Sequence, residues 1–273
     1  MTAIKHPVLL WGLPVAALII IFWLSLFCYS AIPVSGADAT RALLPGHTPT
    51  LPEALVQNLR LPRSLVAVLI GASLALAGTL LQTLTHNPMA SPSLLGINSG
   101  AALAMALTRI TLLLAEDHAY GIFYWLAGGV SHARWQDVWQ LLPVVVTAVP
   151  VVLLLANQLN LLNLSDSTAH TLGVNLTRLR LVINMLVLLL VGACVSVAGP
   201  VAFIGLLVPH LARFWAGFDQ RNVLPVSMLL GATLMLLADV LARALAFPGD
   251  LPAGAVLALI GSPCFVWLVR RRG

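Results

Sequence analysis

The chain has 273 residues, of which 60% are hydrophobic and only 8% are charged, and its mean hydropathy is +0.98. A soluble domain of ordinary composition carries about 25% charged residues, so the composition excludes a soluble globular protein. Several stretches exceed the roughly 18 nearly uncharged residues that a membrane-crossing helix needs. We therefore predict an all-α, polytopic membrane helical bundle that forms a single domain over residues 1–273.

Apolar runs, taken in chain order, predict eight membrane spans. The first is too long for the roughly 7–15-residue core of a cleaved signal peptide, so it is interpreted as a span. The sixth is short and contains Pro209, which favours a broken or partly inserted helix. The spans are predicted near residues 8–30, 64–84, 94–114, 138–156, 180–199, 201–217, 223–246 and 251–269.

The basic residues predict the orientation of these spans. An even number of crossings puts both termini on one side, and cytoplasmic loops carry an excess of Lys and Arg. If both termini are cytoplasmic, the inner segments contain only two acidic residues, Asp166 and Asp219. Against these stand the basic residues Lys5, Arg178, Arg180, Arg213, Arg221, Arg270, Arg271 and Arg272. We therefore expect both ends of the chain in the cytoplasm.

Motifs for catalysis or metal binding are missing from the sequence. It contains no phosphate-binding loop for ATP, no H-E-x-x-H and no G-x-S-x-G. The seven histidines and three cysteines are dispersed without metal-ligand spacing. Acidic residues do not run along a span, which disfavours a proton-driven transporter. We predict no catalytic residue, no metal, no cofactor and no nucleic-acid partner, and a conduit whose energy comes from another protein.

Three arginines and one aspartate stand out by position. Arg60 and Arg63 lie in the expected outer loop, where they either bind carboxylates of a partner or reach lipid phosphates. Asp239 and Arg243 are one helical turn apart, so they can form a structural ion pair. Arg243 is also expected near the outer face that carries Arg60 and Arg63.

Two long stretches resemble iron–siderophore and vitamin B12 ABC importer permeases. They are "LRLPRSLVAVLIGASLALAGTLLQTLTHNPMASPSLLGINSGA" and "VAGPVAFIGLLVPHLARFWAGFDQRNVLPVSMLLGATLMLLADVLARALAFPGDLPAGAVLALIGSPCFVWL". The resemblance covers nearly all of the chain from residue 59 onward. It implies a permease subunit in the bacterial inner membrane that carries a ferric chelate, expected to be iron(III) dicitrate, from periplasm to cytoplasm.

The resemblance also implies partners and site residues. The partners are a second permease subunit in a heterodimer, two cytoplasmic ATPase subunits, a periplasmic substrate-binding protein and the lipid bilayer. Arg60, Arg63 and Arg243 match arginines that dock the binding protein, and Asn87 and Met89 match an inner gate. Residues that match the ATPase-coupling segment are Ser167, Thr168, Ala169, His170, Thr171, Leu172, Gly173, Val174, Asn175 and Leu176.

The chain departs from the family pattern in length. Family members have about ten spans and are roughly sixty residues longer, so the third predicted span looks like the front of one family helix joined to the back of another. The join falls between "INSGAALAMAL" and "TRITLLLAEDHAYGIFYWLAGG". An alternative function follows: a transport-impaired variant that acts only as a membrane interaction protein for the ATPase or the sister permease.

Overall fold

Helices dominate the computed structural model of the chain. The structure describes residues 7–29, 32–44, 48–93, 96–97, 99–103, 107, 127–162, 175–247 and 249–270, and these contain no β-strand. This confirms the predicted all-α class. The helices are α1 Pro7–Phe27, α2 Gly36–Ala42, α3 Leu51–Leu55, α4 Leu61–Leu84, α5 Trp135–Leu154, α6 Ala156–Leu162, α7 Leu176–Ala198, α8 Ile204–Ala216, α9 Gln220–Ala246 and α10 Ala253–Arg270.

Five helical segments in the described part are long and apolar enough to cross a membrane. They are Leu9–Phe27, Leu51–Leu84, Trp135–Leu154, Leu176–Ala198 and Gln220–Ala246. Each overlaps one of the spans predicted from the sequence. Helices α8 and α10 are apolar but shorter, and most of the predicted span at 94–114 lies outside the described residues.

The helix of the second predicted span begins 13 residues earlier than residue 64, at Leu51. It begins with a capping box, in which the Thr50 N–H donates to Glu53 Oε2 at 2.8 Å. Between α3 and α4 the chain makes a π-turn at Val56–Arg60, and the Leu61 N–H bonds to the Val56 carbonyl. This wider turn lets the helix continue into Pro62, which has no N–H to donate. Arg60 and Arg63 therefore lie on a helix and not in a loop.

Helix α4 is the centre of the bundle. In the apolar 18-residue stretch of the helical segment Leu51–Leu84, 83% of the residues are buried. Small residues allow this, because they let helix backbones approach closely. A Cβ added to Gly71 would overlap the Gly231 carbonyl of α9, and one added to Gly78 would overlap the Gly205 carbonyl of α8. The two glycine contacts fix where α8 and α9 cross α4.

Two residues with positive φ precede helix α8. Gly199 ends α7 with φ 72°, and Phe203 precedes α8 with φ 68°. The 13 residues of α8 continue without a break through Pro209. At 1.5 Å per residue they extend about 20 Å, which is less than the roughly 30 Å of a hydrocarbon core. The sixth predicted span, at 201–217, thus coincides with the short helix α8, and a break at Pro209 is not observed.

Candidate functional site

The described residues contain two polar clusters, one near each end of α4. Arg63 belongs to the first cluster and Gln82 to the second. These two residues are 19 positions apart on one helix, which corresponds to about 28 Å along its axis. That distance is close to the roughly 30 Å thickness of the hydrocarbon layer. The two clusters therefore have the spacing of two membrane boundaries.

The first cluster, here called the arginine network, consists of Arg60, Arg63, Asp239, Arg243 and Asp250. Arg63 Nε and Nη2 both lie 2.9 Å from Asp239 Oδ1. On its other edge, Arg63 Nη1 lies 3.2 Å from Asp250 Oδ2 and Nη2 lies 3.3 Å from Asp250 Oδ1. The guanidinium of Arg63 thus binds two carboxylates at once, and its contact with Asp250 has the paired geometry that suits an arginine fork.

Asp239 also binds Arg243, whose Nη2 lies 3.2 Å from Asp239 Oδ2 at the i, i+4 spacing within α9. Asp239 is 1% exposed, Arg243 2% and Arg63 7%. A buried charge is costly unless a partner compensates it. The single carboxylate of Asp239 compensates both arginines, so it is the electrostatic centre of the network.

The end of helix α1 supplies further acceptors to the network. Arg243 Nη1 donates to the carbonyls of Ser25 at 3.0 Å and Cys28 at 3.1 Å. Arg60 Nη2 donates to the Tyr29 carbonyl at 3.1 Å. The last carbonyls of a helix have no intrahelical donor and carry partial negative charge. The arginines therefore supply hydrogen-bond donors to the backbone carbonyls at the end of α1, and these carbonyls stabilise the positive charge of the arginines.

Arg60 differs from the other two arginines of the network. Its side chain is partly exposed, and its Nη1 is a buried atom with no hydrogen-bond partner among the described residues. The network holds three arginines and two aspartates, so it carries one excess positive charge. The partly exposed side chain of Arg60 and the excess charge both suit an additional carboxylate.

The second cluster joins four helices near the C-terminal end of α4. Arg213 Nη1 donates to Gln82 Oε1 at 2.6 Å, and Gln82 Nε2 donates to the Leu206 carbonyl at 3.2 Å. Gln220 Nε2 donates to Thr83 Oγ1 at 3.1 Å. These bonds tie α4 to α8 and α9, and they lie beside the loop that follows α4.

Helix α6 joins the same cluster through Asn160. The Gln220 N–H donates to Asn160 Oδ1 at 2.8 Å, and Asn160 Nδ2 donates to Asp219 Oδ1 at 2.7 Å. The hydrogen bond from Asn160, together with the Arg221 backbone N–H, holds the pKa of Asp219 below its usual value. Asp219 also caps the first turn of α9. Because α6 precedes the predicted coupling segment, this contact connects that part of the chain to α9.

The loop after α4 contains the two predicted gate residues. The Met89 N–H donates to Asn87 Oδ1 at 2.9 Å, which makes a tight turn of the kind that asparagine favours. His86 has φ 50°, and its Nε2 lies 2.6 Å from the Leu162 carbonyl at the end of α6. Asn87 is exposed and Met89 is half-buried. The loop is thus held to α6 on one side.

The structure brings some of the predicted site residues together and separates others. Arg243 pairs with Asp239 and lies in one network with Arg60 and Arg63, whereas the bond between Arg63 and Asp239 was not predicted. Arg63 and Arg243 are buried and already have internal carboxylate partners. Asn87 and Met89 lie at the opposite end of α4. Of the predicted coupling residues, Ser167 to Val174 lie outside the described residues, while Asn175 caps α7 by accepting from the Arg178 N–H at 3.0 Å.

Sequence reasoning missed Asp250 as a member of the network, and it missed the cluster around Gln82 and Gln220. Asp250 is 187 positions from Arg63, and Gln220 is 137 positions from Thr83. No short spacing in the sequence indicates such pairs. In the described residues, no group of acidic, histidine and cysteine side chains could hold a metal ion.

Comparison with known proteins identifies the family. The model of the FecCD transport family matches residues 17–116 and 105–271. The chain belongs to this family of ABC transporter permeases, and it is a transporter subunit and not an enzyme. The two matched stretches overlap at 105–116, which agrees with the join predicted from the sequence between residues 107 and 108.

Two relatives and one solved structure show the likeness in detail. The Fe(3+) dicitrate transport system permease protein FecC of Escherichia coli is 82% identical over 332 positions, with 100% of each chain covered. The permease protein FecD of the same organism is 33% identical over 80% of this chain and 85% of its own length. A solved structure described as an inward-facing ABC transporter of the metal-chelate type superimposes with a TM-score of 0.80. It is 28% identical and covers 97% of this chain and 100% of its own.

The length difference is visible in the first of these alignments. It runs over 332 positions, whereas the present chain has 273 residues, so 59 positions of the relative have no counterpart here. This agrees with the shortfall of roughly sixty residues that the sequence predicts. The solved structure nevertheless covers nearly the whole of the present chain with the same fold.

Proposed function

We propose that this chain is a permease subunit that imports ferric dicitrate across the bacterial inner membrane. The observation that carries the proposal is the 82% identity, over the full length of both chains, with the ferric dicitrate permease of Escherichia coli. Ferric dicitrate is an anion, and the arginine network with its excess positive charge suits an anionic cargo. The comparisons do not favour the alternative of an interaction protein without transport.

The proposed assembly follows the ABC importer plan. The chain pairs with a different permease subunit, and two cytoplasmic ATPase subunits and a periplasmic substrate-binding protein complete the importer. A sister permease is supported by the likeness to two distinct permeases of one ferric dicitrate system. Both termini lie in the cytoplasm, which puts the arginine network at the periplasmic face and the cluster around Gln82 at the cytoplasmic face.

Three groups of residues have proposed roles in this assembly. Arg60, Arg63 and Arg243 receive the binding protein at the periplasmic face. Asn87 and Met89 narrow the cytoplasmic mouth of the path, a role supported by their position in the loop after α4. The segment from Ser167 to Leu176 rests on the ATPase. The bond between His86 and the Leu162 carbonyl supports a link from that segment to the gate loop.

Uptake of radiolabelled iron in cells tests the substrate assignment. The host is an Escherichia coli strain that lacks its own permease of the FecC type but keeps the other components of that system. Expression of this chain should restore uptake of iron supplied as ferric dicitrate, and an inactive ATPase subunit should abolish it. Iron supplied as a hydroxamate chelate is the control and should enter at the same rate with or without this chain. The alternative function requires a chain that is present in the membrane and bound to its partners while uptake stays at the level of the empty vector.

A further inference from the structure

The two aspartates of the arginine network occupy different kinds of position. Asp239 lies within helix α9 and its side chain is 1% exposed, whereas the side chain of Asp250 is 42% exposed. Asp250 follows the end of α9 at Ala246 and precedes the start of α10 at Ala253. A residue in such a connection can move without unfolding a helix. Asp250 can therefore leave the network, while Asp239 cannot.

The two carboxylates bind different edges of Arg63. Asp239 takes the edge formed by Nε and Nη2, and Asp250 takes the edge formed by Nη1 and Nη2. Because Asp250 is the exposed partner, the edge it covers is the one that Arg63 would present to a carboxylate arriving from outside. The same edge can hold one carboxylate at a time.

We propose that Asp250 is an exchangeable internal carboxylate, which occupies Arg63 in the free permease and is displaced when the substrate-binding protein docks. The inference rests on the docking role proposed above for the arginines. Its chemistry is the exchange of one carboxylate for another of the same charge. Arg63 keeps a paired partner throughout, so the exchange never leaves a buried guanidinium without compensation.

The exchange sets the affinity of docking. A partner carboxylate can bind this edge of Arg63 only after Asp250 has left it. The free energy needed to break the internal pair therefore makes docking less favourable. Partly exposed ion pairs of this kind are weak, and a weak internal pair permits rapid docking and release. Arg60, whose side chain is partly exposed, offers the incoming protein a first contact that needs no exchange.

Affinity measurements on the assembled importer test the proposal. The importer is reconstituted in lipid nanodiscs, and its Kd for the purified substrate-binding protein of the ferric dicitrate system is measured by biolayer interferometry. Asp250→Asn should lower the Kd by about two- to fivefold, as expected for removing a partly exposed competing pair. Asp250→Glu keeps the carboxylate and should bind like the wild type.

The control variant is Asp38→Asn. Asp38 is half-buried in α2, on the same side of the bundle as the arginine network, and bonds Ser35. Its removal changes the net charge by the same amount without freeing Arg63. If Asp250→Asn binds no more tightly than Asp38→Asn, the exchange is excluded. Absence of measurable binding by the wild-type complex contradicts the docking role itself, which is a separate outcome.

Assembly of each variant is checked by size-exclusion chromatography of the complex. If Asp250→Asn does not assemble, Asp250→Ser is measured in its place with the same expected decrease in Kd. If neither variant assembles, Asp250 is an obligatory structural partner of Arg63, and the proposed exchange is overturned.

Discussion

Removal of the Asp239 charge should destabilise the protein far more than removal of the Asp250 charge. In Asp239→Asn the carboxylate that contacts both Arg63 and Arg243 is replaced by an amide of almost the same size. The two guanidinium groups remain buried and lose their shared negative partner. Asp250→Asn instead removes a carboxylate that is 42% exposed and contacts Arg63.

The magnitudes follow from burial. Breaking a buried ion pair by removing one partner costs about 3–5 kcal/mol, because an uncompensated charge stays behind. Asp239 is 1% exposed, so its contribution needs no discount for solvent screening. An exposed pair contributes about 0.2–1 kcal/mol, and the pair of Arg63 with Asp250 belongs near that range. The two substitutions should thus differ by at least about 2 kcal/mol.

Unfolding in a detergent series, followed by tryptophan fluorescence, measures the difference. The chain has seven tryptophans, which report on unfolding. The decrease in the free energy of unfolding is obtained from the shift of the unfolding midpoint for each variant. Asp239→Asn is expected to lose most of its folded fraction under conditions in which Asp250→Asn stays folded. Equal midpoints for the two variants would refute the central role of Asp239 in the network.

Two further predictions concern packing and pH. Gly71→Ala should destabilise the protein by about 1–3 kcal/mol, because the added methyl meets the α9 backbone. Gly192→Ala is the matched control with no heavy atom within 4 Å of the new methyl, and thermal unfolding compares them. The pKa of Asp219 is below its usual value, so its contribution to stability is present above about pH 4 and is lost as the pH falls through the folded-state pKa. Asn160→Ala should therefore reduce the loss of melting temperature between pH 5 and pH 3, whereas an unchanged loss would contradict the role of the Asn160 bond.

The membrane-spanning helices and one local ion pair could be predicted from the sequence. Long apolar runs predict helices because the backbone must satisfy its own hydrogen bonds in lipid. The pair of Asp239 and Arg243 was predictable because its spacing is local to one helix. The start of the second helical segment at Leu51 was not predictable, because Pro62 and the polar residues around it indicate a loop. In the structure a π-turn at Val56–Arg60 makes the helix continuous there.

Contacts between distant segments were beyond the reach of sequence patterns. The partner of Arg63 in the connection after α9 and the partner of Gln220 in α6 depend on how the helices pack. The Gly71 and Gly231 contact explains part of that packing, yet a small residue in a span does not reveal which helix it meets. The burial of Arg63 and Arg243 also results from helix packing and could not be predicted from the sequence. It limits how these two arginines can contact a docking protein.

Transport by the purified importer tests the proposed function most directly. The chain is reconstituted in liposomes with its sister permease and ATPase, and the binding protein loaded with radiolabelled ferric dicitrate is added outside. With ATP inside the liposomes, iron should accumulate within them, and without ATP or with an inactive ATPase it should not. Assembled complexes that hydrolyse ATP but accumulate no iron would contradict the proposal that this chain forms part of a ferric dicitrate path.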